Sequence, residues 1–573
     1  MKKLDELKEY VLSQLEEAEL LEIIEELNFS PKNARDGLGV VLAELHNEGK
    51  IDFLSYYRTI SRESVNHDFF TLKIIFEKAL PTISSSIEDV IDIALNIYLE
   101  TQNDILAPDV FISVEEFLIN DLERPNKALE FVLSDQKYLP FVSTVLKSGA
   151  EVDLPYFFQK TKDLFESNEI TLQKHALYAF GLINYQVNPE LLLEAFSIVT
   201  SVETSDVELC PLALSAAIKL SSKDVSLTKK LDKFSSKLFI SPDRGLIHIA
   251  AEHLWRRKES LSEELKVLFF NSLKKVEFES KGTLDFIDYV LDDLVKAGNA
   301  ASAIELLEEI LCSSVKPIPI TVFNSFVYSF RSDSEALGST LVKWLASNQA
   351  RLWKASFDLI GDLDQPHIIL SRDSFESFAA DDFIFLGRKI VGWFYMNQEF
   401  AARFLLEIMR ISTSDVRRAF AQLLYDPMLV SYASVAGFFK DFETEDQDLL
   451  SILSELQLSI EGYKAGIASK NFKEIQPSTS WRSEHFREQK KRQEEVMKSA
   501  ESKSIVLGLF SKQVLLYGGK SINYIQDGNG NMHRQETPLT SFSHSIEIPR
   551  LSFIDPHGLD LRLRIFRNEE NKV

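Results

Sequence analysis

Apolar positions recur at spacings of three and four over the first ~470 residues, which is the period of an amphipathic helix. The stretch LDELKEYVLSQLEEAELLEIIEEL near the start combines that spacing with strong helix formers. Helix starts are marked by Ser30-Pro31, Asn188-Pro189 and Ser241-Pro242, each a capping residue ahead of a proline at the first helical position. Ser113 with Glu116, and Ser260 with Glu263, fit the capping box.

The pattern repeats in the middle of the chain. HALYAFGLINYQVNPELLLEAFSIV from His175, LALSAAIKLSSKDVSLTKKLDKF from Leu212 and LIHIAAEHLWRRKESLSEELKVLFF from Leu246 share one plan. Each is an alanine-rich apolar helix, a polar turn and a second amphipathic helix. Ala179, Ala216 and Ala250 fall at matching places, 37 and 34 residues apart, where a small side chain lets paired helices approach closely. Two helices per unit at such a period mark an α-solenoid. Between about Asp104 and Ala350 the chain resembles the HEAT family of helical repeats. That resemblance implies a curved surface that binds other macromolecules.

The organisation that follows has five parts. Residues 1–103 form an N-terminal helical region, 104–350 the HEAT-like repeats and 351–475 a further helical region. Residues 476–503 read as one charged linker helix, because no apolar residue occurs from Arg487 to Glu495. From 504 to 573 the period becomes two. QVLLY and INYIQ are short strand candidates, and LDLRLRIF alternates with Leu559, Leu561, Leu563 and Ile565 on one side. IEIPRLSF pairs with it across the turn-like DPHG. The expected fold is therefore mainly α, a HEAT-like solenoid with a small C-terminal antiparallel β-domain.

Composition sharpens this picture. The 21 Gly and 17 Pro are few for 573 residues, which favours helices over long loops. The formal net charge of -24 opposes broad binding to nucleic acid or anionic membranes. That charge is uneven: Gln476–Val573 holds 15 Lys and Arg against 12 Asp and Glu, whereas the rest holds 48 against 75. The two cysteines, Cys210 and Cys312, are too few for a metal cluster and fit a reducing, cytoplasmic setting. The N-terminal MKKLDELKEY lacks the apolar run of a signal peptide, and no apolar run is long enough to span a membrane.

Candidate chemistry is sparse. YGGKS has Val514 where a P-loop needs its first glycine, and a strand pattern follows it, so it reads as a hairpin turn. Asp527, Asn529 and Asn531 start a calcium-loop pattern, but Met532 and Pro538 stand where Gly and Glu are required. Asp-Gly and Asn-Gly are also strong hairpin formers, so this too reads as a turn. His248, Glu252 and His253 share a candidate helix without the spacing of a zinc motif. His533, His544 and His557, with Glu536, Asp555 and Asp560 nearby, form the densest group of histidines and acids and are the weak catalytic candidates. Phe438 and Phe439 are an anchor candidate, although core is the simpler reading for most of the 41 Phe.

Arg550, Arg562, Arg564 and Arg567 form the least neutralised cationic group and are the binding candidates. The basic residues of the charged helix are interleaved with glutamates and read as paired along a solvated helix. The leading functional expectation is a non-catalytic scaffold or adaptor that binds protein partners along an acidic solenoid surface, within a multi-protein assembly. It needs neither cofactor nor metal. The second is nucleic-acid engagement through the basic C-terminal domain, as in a subunit of a bacterial defence system. The third is an enzyme built on the C-terminal histidines.

Overall fold

The computed structural model describes residues 2–14, 23, 32–58, 60–62, 69–101, 109–361, 367–432, 434–442, 444–469, 478–503, 520–526, 532–538 and 549–571. The chain divides into two compact units, Met1–Val290 with Ser313–Lys316, and Leu291–Cys312 with Pro317–Val573.

Unit 1 opens with α1 (Lys2–Gln14), α2 (Lys32–Asn47), α3 (Phe53–Tyr57), α4 (Phe69–Ala79) and α5 (Ile87–Thr101). It continues through α6 (Asp109–Ile119), α7 (Arg124–Val132), α8 (Val142–Val152), α9 (Leu154–Phe165), α10 (Ile170–Leu182) and α11 (Pro189–Val199). Next come α12 (Cys210–Ser221), α13 (Thr228–Leu238), α14 (Arg244–Arg256), α15 (Glu263–Leu273) and α16 (Lys281–Lys296), within which the division between units falls. Within unit 1, α6, α8, α10, α12 and α14 pack side by side, each against the next. The intervening helices pack against them. This is the stacking of helical repeats, in which each pair buries its apolar face against its neighbours.

The aligned alanines do what the repeat pattern asks of them. Ala179, Ala216 and Ala250 are buried. At Gly181 in α10, an added Cβ would stand 3.1 Å from the Cα of Ala216 in α12. These two helices therefore approach closely because both lack bulk at the crossing.

Several helix starts differ from the sequence reading. Ser113 lies inside α6, so it caps nothing. α14 begins two residues later than Ser241-Pro242 implies, with Asp243 accepting from the Leu246 N–H at 2.8 Å. α15 is capped by Ser262, which accepts from the Leu265 N–H at 3.1 Å. Pro189 opens α11 as expected, although the Asn188 side chain makes no cap bond. Ser30-Pro31 lies outside the described residues. At α14 and α15 the carboxylate or hydroxyl nearest the first free N–H groups took the capping role.

Unit 2 contains α17 (Ala300–Ser313), α18 (Asn324–Phe330), α19 (Ser334–Ala346), α20 (Ala350–Ile360), α21 (Ala380–Phe394), α22 (Gln398–Ile411), α23 (Ser414–Leu423), α24 (Val435–Asp441) and α25 (Gln447–Ser469). α19, α21, α23 and α25 pack in succession. The charged helix is α26 (Thr479–Lys503), and the chain ends with α27 (Leu551–Ile554) and α28 (Pro556–Asn568).

The expected C-terminal β-domain is not supported among the described residues. The strands among the described residues are a single antiparallel pair, β1 (Lys520–Gln526) and β2 (Met532–Pro538), with Lys520 opposite Pro538 and Gln526 opposite Met532. QVLLY lies outside the described residues. LDLRLRIF is helical, in α28. Asp555 accepts from the Gly558 N–H at 2.9 Å and Pro556 takes the first helical position, so DPHG is a helix start instead of a hairpin turn. The alternating leucines then split by helical geometry. Leu559 and Leu563, four apart, are buried, whereas Leu561 and Ile565 are exposed.

α28 lies across α21 within unit 2. A Cβ at Gly392 would stand 2.9 Å from the Cβ of Phe566 and 3.0 Å from the Arg567 nitrogen, so only glycine admits this approach.

Candidate functional site

Three of the four arginines expected to form a cationic sheet face are held by their own chain. Arg562 pairs with Asp426 at 2.5 Å, and Arg564 pairs with Asp560 one turn away at 2.8 Å. Arg567 donates through Nε to the Gly392 carbonyl, and burial lowers its affinity for a proton. Arg550 is half-buried, with its backbone N–H on the Ser431 carbonyl at 3.0 Å. Three of the four guanidinium groups are therefore bonded within unit 2, and none of the four residues lies on a strand.

The three histidines are not brought together among the described residues. His533 stands in β2 opposite Ile525, and His544 lies outside the described residues, as does Asp527 to Asn531. His557 stands exposed in the first turn of α28. It lines a cavity of about 550 Å³ with Tyr395, Trp481, His485, Asp560 and Arg564. The Trp481 and His485 rings stack at 5.0 Å. Among the described residues no group of three or more His, Cys, Asp or Glu is placed to hold a metal ion. Cys210 is buried, donates to the Glu203 carbonyl at 3.3 Å, and burial pushes its thiol up to about 11. Cys312 is exposed. Phe439 is buried, and Phe438 lies beneath the Arg403 guanidinium, so neither is a free anchor. Among the described residues no helix is long and apolar enough to cross a membrane.

A different group of residues is assembled in unit 1, on α10, α12, α14 and the first part of α16. Positions three and four apart on a helix share a face, which aligns His248, Glu252, Trp255 and Arg256 along α14. His248 Nδ1 lies 3.0 Å from the Thr283 hydroxyl, and its ring lies 5.2 Å from Phe286. Trp255 stacks on Tyr289 at 4.5 Å. The Arg256 guanidinium lies 5.5 Å over Phe286 and pairs with Glu252 at 3.5 Å. One repeat back, the Lys219 ammonium lies 4.5 Å over the ring of Tyr178. Tyr178 and Tyr289 remain 44% and 39% exposed, large values for aromatic rings on packed helices.

The cations of this strip are poorly compensated. Among the described residues Lys219, Lys223 and Arg257 form no ion pair. Lys223 Nζ instead donates to the carbonyls of Ile183 at 2.5 Å and Gly181 at 3.4 Å, at the negative end of the α10 dipole. Burial pushes the Lys223 ammonium down to about 8, and Lys219, Arg257 and Lys147 push the same way, with Glu151 opposing. Burial also lowers Lys219, with Arg257 adding to it and Glu252 opposing. Beneath them His253 is 2% exposed. Its Nε2 lies 3.3 Å from the Ser215 hydroxyl, and its Nδ1 has no partner. Burial, then Arg257, Lys219 and Arg256, push it down to about 3, so the ring is neutral at neutral pH. Concentrated, mutually repelling cations flanked by exposed aromatic rings suit an anionic ligand.

The sequence carried one signal for this strip: Tyr178, Lys219 and Trp255 each lie within five residues of an aligned alanine in three successive repeats. The histidine and acid of α14 singled out from sequence belong to it, as packing and pairing partners and not as metal ligands. No protein-family model matches the chain and no curated protein matches it.

Proposed function

We propose that the protein is a non-catalytic scaffold or adaptor that binds a protein partner along its helical-repeat surface, as a subunit of a larger assembly. The observation that carries this reading is the strip of exposed aromatic rings and unpaired cations across α10, α12, α14 and α16 of unit 1. Stacked repeats present the same side-chain positions at regular intervals, which suits an extended partner better than a small substrate. Exposed tyrosines supply contact area at little cost in side-chain freedom.

The acidic remainder of the surface keeps the molecule soluble and repels polyanions. Nucleic-acid engagement through Arg550, Arg562, Arg564 and Arg567 has less support, because three of these guanidinium groups are already bonded within the chain.

The test is co-purification of the tagged full-length protein from its host, with and without nuclease and at two salt concentrations. A stoichiometric protein that survives nuclease, and that a Tyr178→Ala/Tyr289→Ala variant loses, is expected. Recovery of nucleic acid alone, or of no partner, overturns the reading.

A further inference from the structure

Resting on the scaffold reading, the strip also specifies the chemistry of what it binds. Lys219 and Lys223 converge on one point of α10. A Cβ added at Gly181 would stand 3.1 Å from the Lys219 Cδ, and Lys223 Nζ bonds the carbonyl of the same glycine. Of the two acids that oppose the cations, Glu252 already pairs with Arg256, and Glu151 faces Lys223 without forming an ion pair among the described residues. The buried imidazole of His253 has an unpartnered nitrogen. In a chain of net charge -24 this concentration of unpaired positive charge is a local exception. Bringing an anion to it relieves the repulsion that the fold otherwise carries.

The number of cations decides between classes of anion. Nucleic acid binding draws its affinity from many phosphate contacts and would bring further negative charge against an acidic molecule. Three unpaired cations flanked by aromatic rings match a few carboxylates on a polypeptide with apolar side chains between them. We infer that the site formed by Lys219, Lys223 and Arg257, flanked by Tyr178 and Tyr289, receives a short acidic segment of a protein partner. Its carboxylates lie on the three cations and its apolar side chains on the two rings.

The experiment is fluorescence anisotropy on the full-length protein at about 0.15 M salt, where surface charges are screened beyond ~8 Å. The probes are a labelled peptide of Glu, Asp and Phe, its Gln/Asn analogue, and a single-stranded oligonucleotide of similar length. The acidic peptide is expected to bind the wild type and a Lys229→Glu/Lys230→Glu control on α13 equally, and the neutral analogue to bind neither. Lys219→Glu/Arg257→Glu should weaken the acidic peptide at least about tenfold, or ~1.4 kcal/mol. Arg257→Gln, at an exposed position, should weaken it in the same direction and guards against misfolding of the double variant.

Equal binding by wild type and Lys219→Glu/Arg257→Glu overturns the inference. So does absence of acidic-peptide binding, or oligonucleotide binding that the same variant abolishes in its place. A partner that co-purifies equally with the charge-reversed variant leaves the scaffold reading standing and overturns this site. Peptide binding here, with no protein partner in the host, does the reverse.

Discussion

Lys389 Nζ donates a hydrogen bond at 2.7 Å to the carbonyl oxygen of Arg567, 178 residues further along the chain. Arg567 in turn donates through Nε to the Gly392 carbonyl, so α21 and α28 exchange donors where they cross. Lys389 is fully buried, with its ammonium 3.2 Å from the centroid of the Trp353 ring. It sits on the last turn of α28, where a cation meets the negative end of the helix dipole. Past the helix, the Asn571 N–H donates to Asn348 at 2.7 Å, and the Asn348 side chain donates back to the Asn571 carbonyl at 3.0 Å. The C-terminal segment is a structural part of unit 2.

That burial gives unit 2 a pH dependence. Burial pushes Lys389 down to about 8, with Glu569 and Glu570 opposing, whereas an unfolded lysine titrates near 10.5. Between these values the unfolded chain binds more protons than the folded one, so stability rises with pH across the window and is lost as pH falls through 8. Lys389→Met removes the titration. Urea unfolding at pH 7.5 and pH 10 should show the wild type gaining on the variant at the higher pH. A gap that stays constant or shrinks would rule out the buried, depressed lysine.

Two glycines should respond in opposite directions. Gly392→Leu places a side chain against Phe566 and the Arg567 backbone, and should cost about 1–3 kcal/mol by overpacking. It should also expose the amides of α28 to hydrogen exchange. Gly462, in the exposed middle of α25, has nothing within 4 Å of an added Cβ. Gly462→Ala should therefore stabilise by about 0.5–1 kcal/mol through helix propensity alone. The same direction for both changes would show that α28 does not rest on α21.

The helical repeats were legible in the sequence because their signal is local. Apolar spacing and the alanines at 179, 216 and 250 follow directly from stacked helix pairs. α28 was misread for a physical reason: Leu559, Leu561, Leu563 and Ile565 satisfy a period of two, yet 559 and 563 alone satisfy a helix. Four residues of alternation cannot separate the two periods, and Asp555-Pro556 ahead of them was the deciding signal. The arginines looked free because Asp426 and the Gly392 carbonyl are distant in sequence. The strip in unit 1 was missed because Tyr178, Lys219 and Arg257 belong to three different repeats, and only stacking sets them side by side.

Arg417 ties α23 to the start of α25. Its Nη2 pairs with Asp446 at 2.6 Å, its Nη1 with Asp448 at 3.1 Å, and its Nε donates to the Met409 carbonyl at 2.9 Å. The Arg417 side chain is only 9% exposed. Arg417→Met should lower the thermal unfolding midpoint, because the buried Met409 carbonyl loses its donor and α23 loses its tie to the start of α25. Arg417→Lys should recover less than half of that, because one ammonium cannot fill a forked site. Full rescue by lysine in thermal unfolding would show that charge alone matters there.

His253 separates two accounts of the unit 1 strip. As a neutral ring held down to about 3, against an ordinary 6.5, it stays unprotonated while the unfolded histidine takes up a proton. Stability from this group is therefore complete above pH 6.5 and is lost progressively as pH falls toward 3. Wild type should lose more stability between pH 7.5 and pH 5 than His253→Gln, which keeps a polar partner for Ser215 without titrating. If the imidazole were instead protonated and paired, the variant would be the more acid-sensitive of the two. The first outcome places one more uncharged group beneath Lys219 and Arg257, leaving their repulsion for an incoming carboxylate to relieve. The second would give those cations a proton-bearing neighbour held by an acid inside the fold, and the case for an external anion would lose its physical basis.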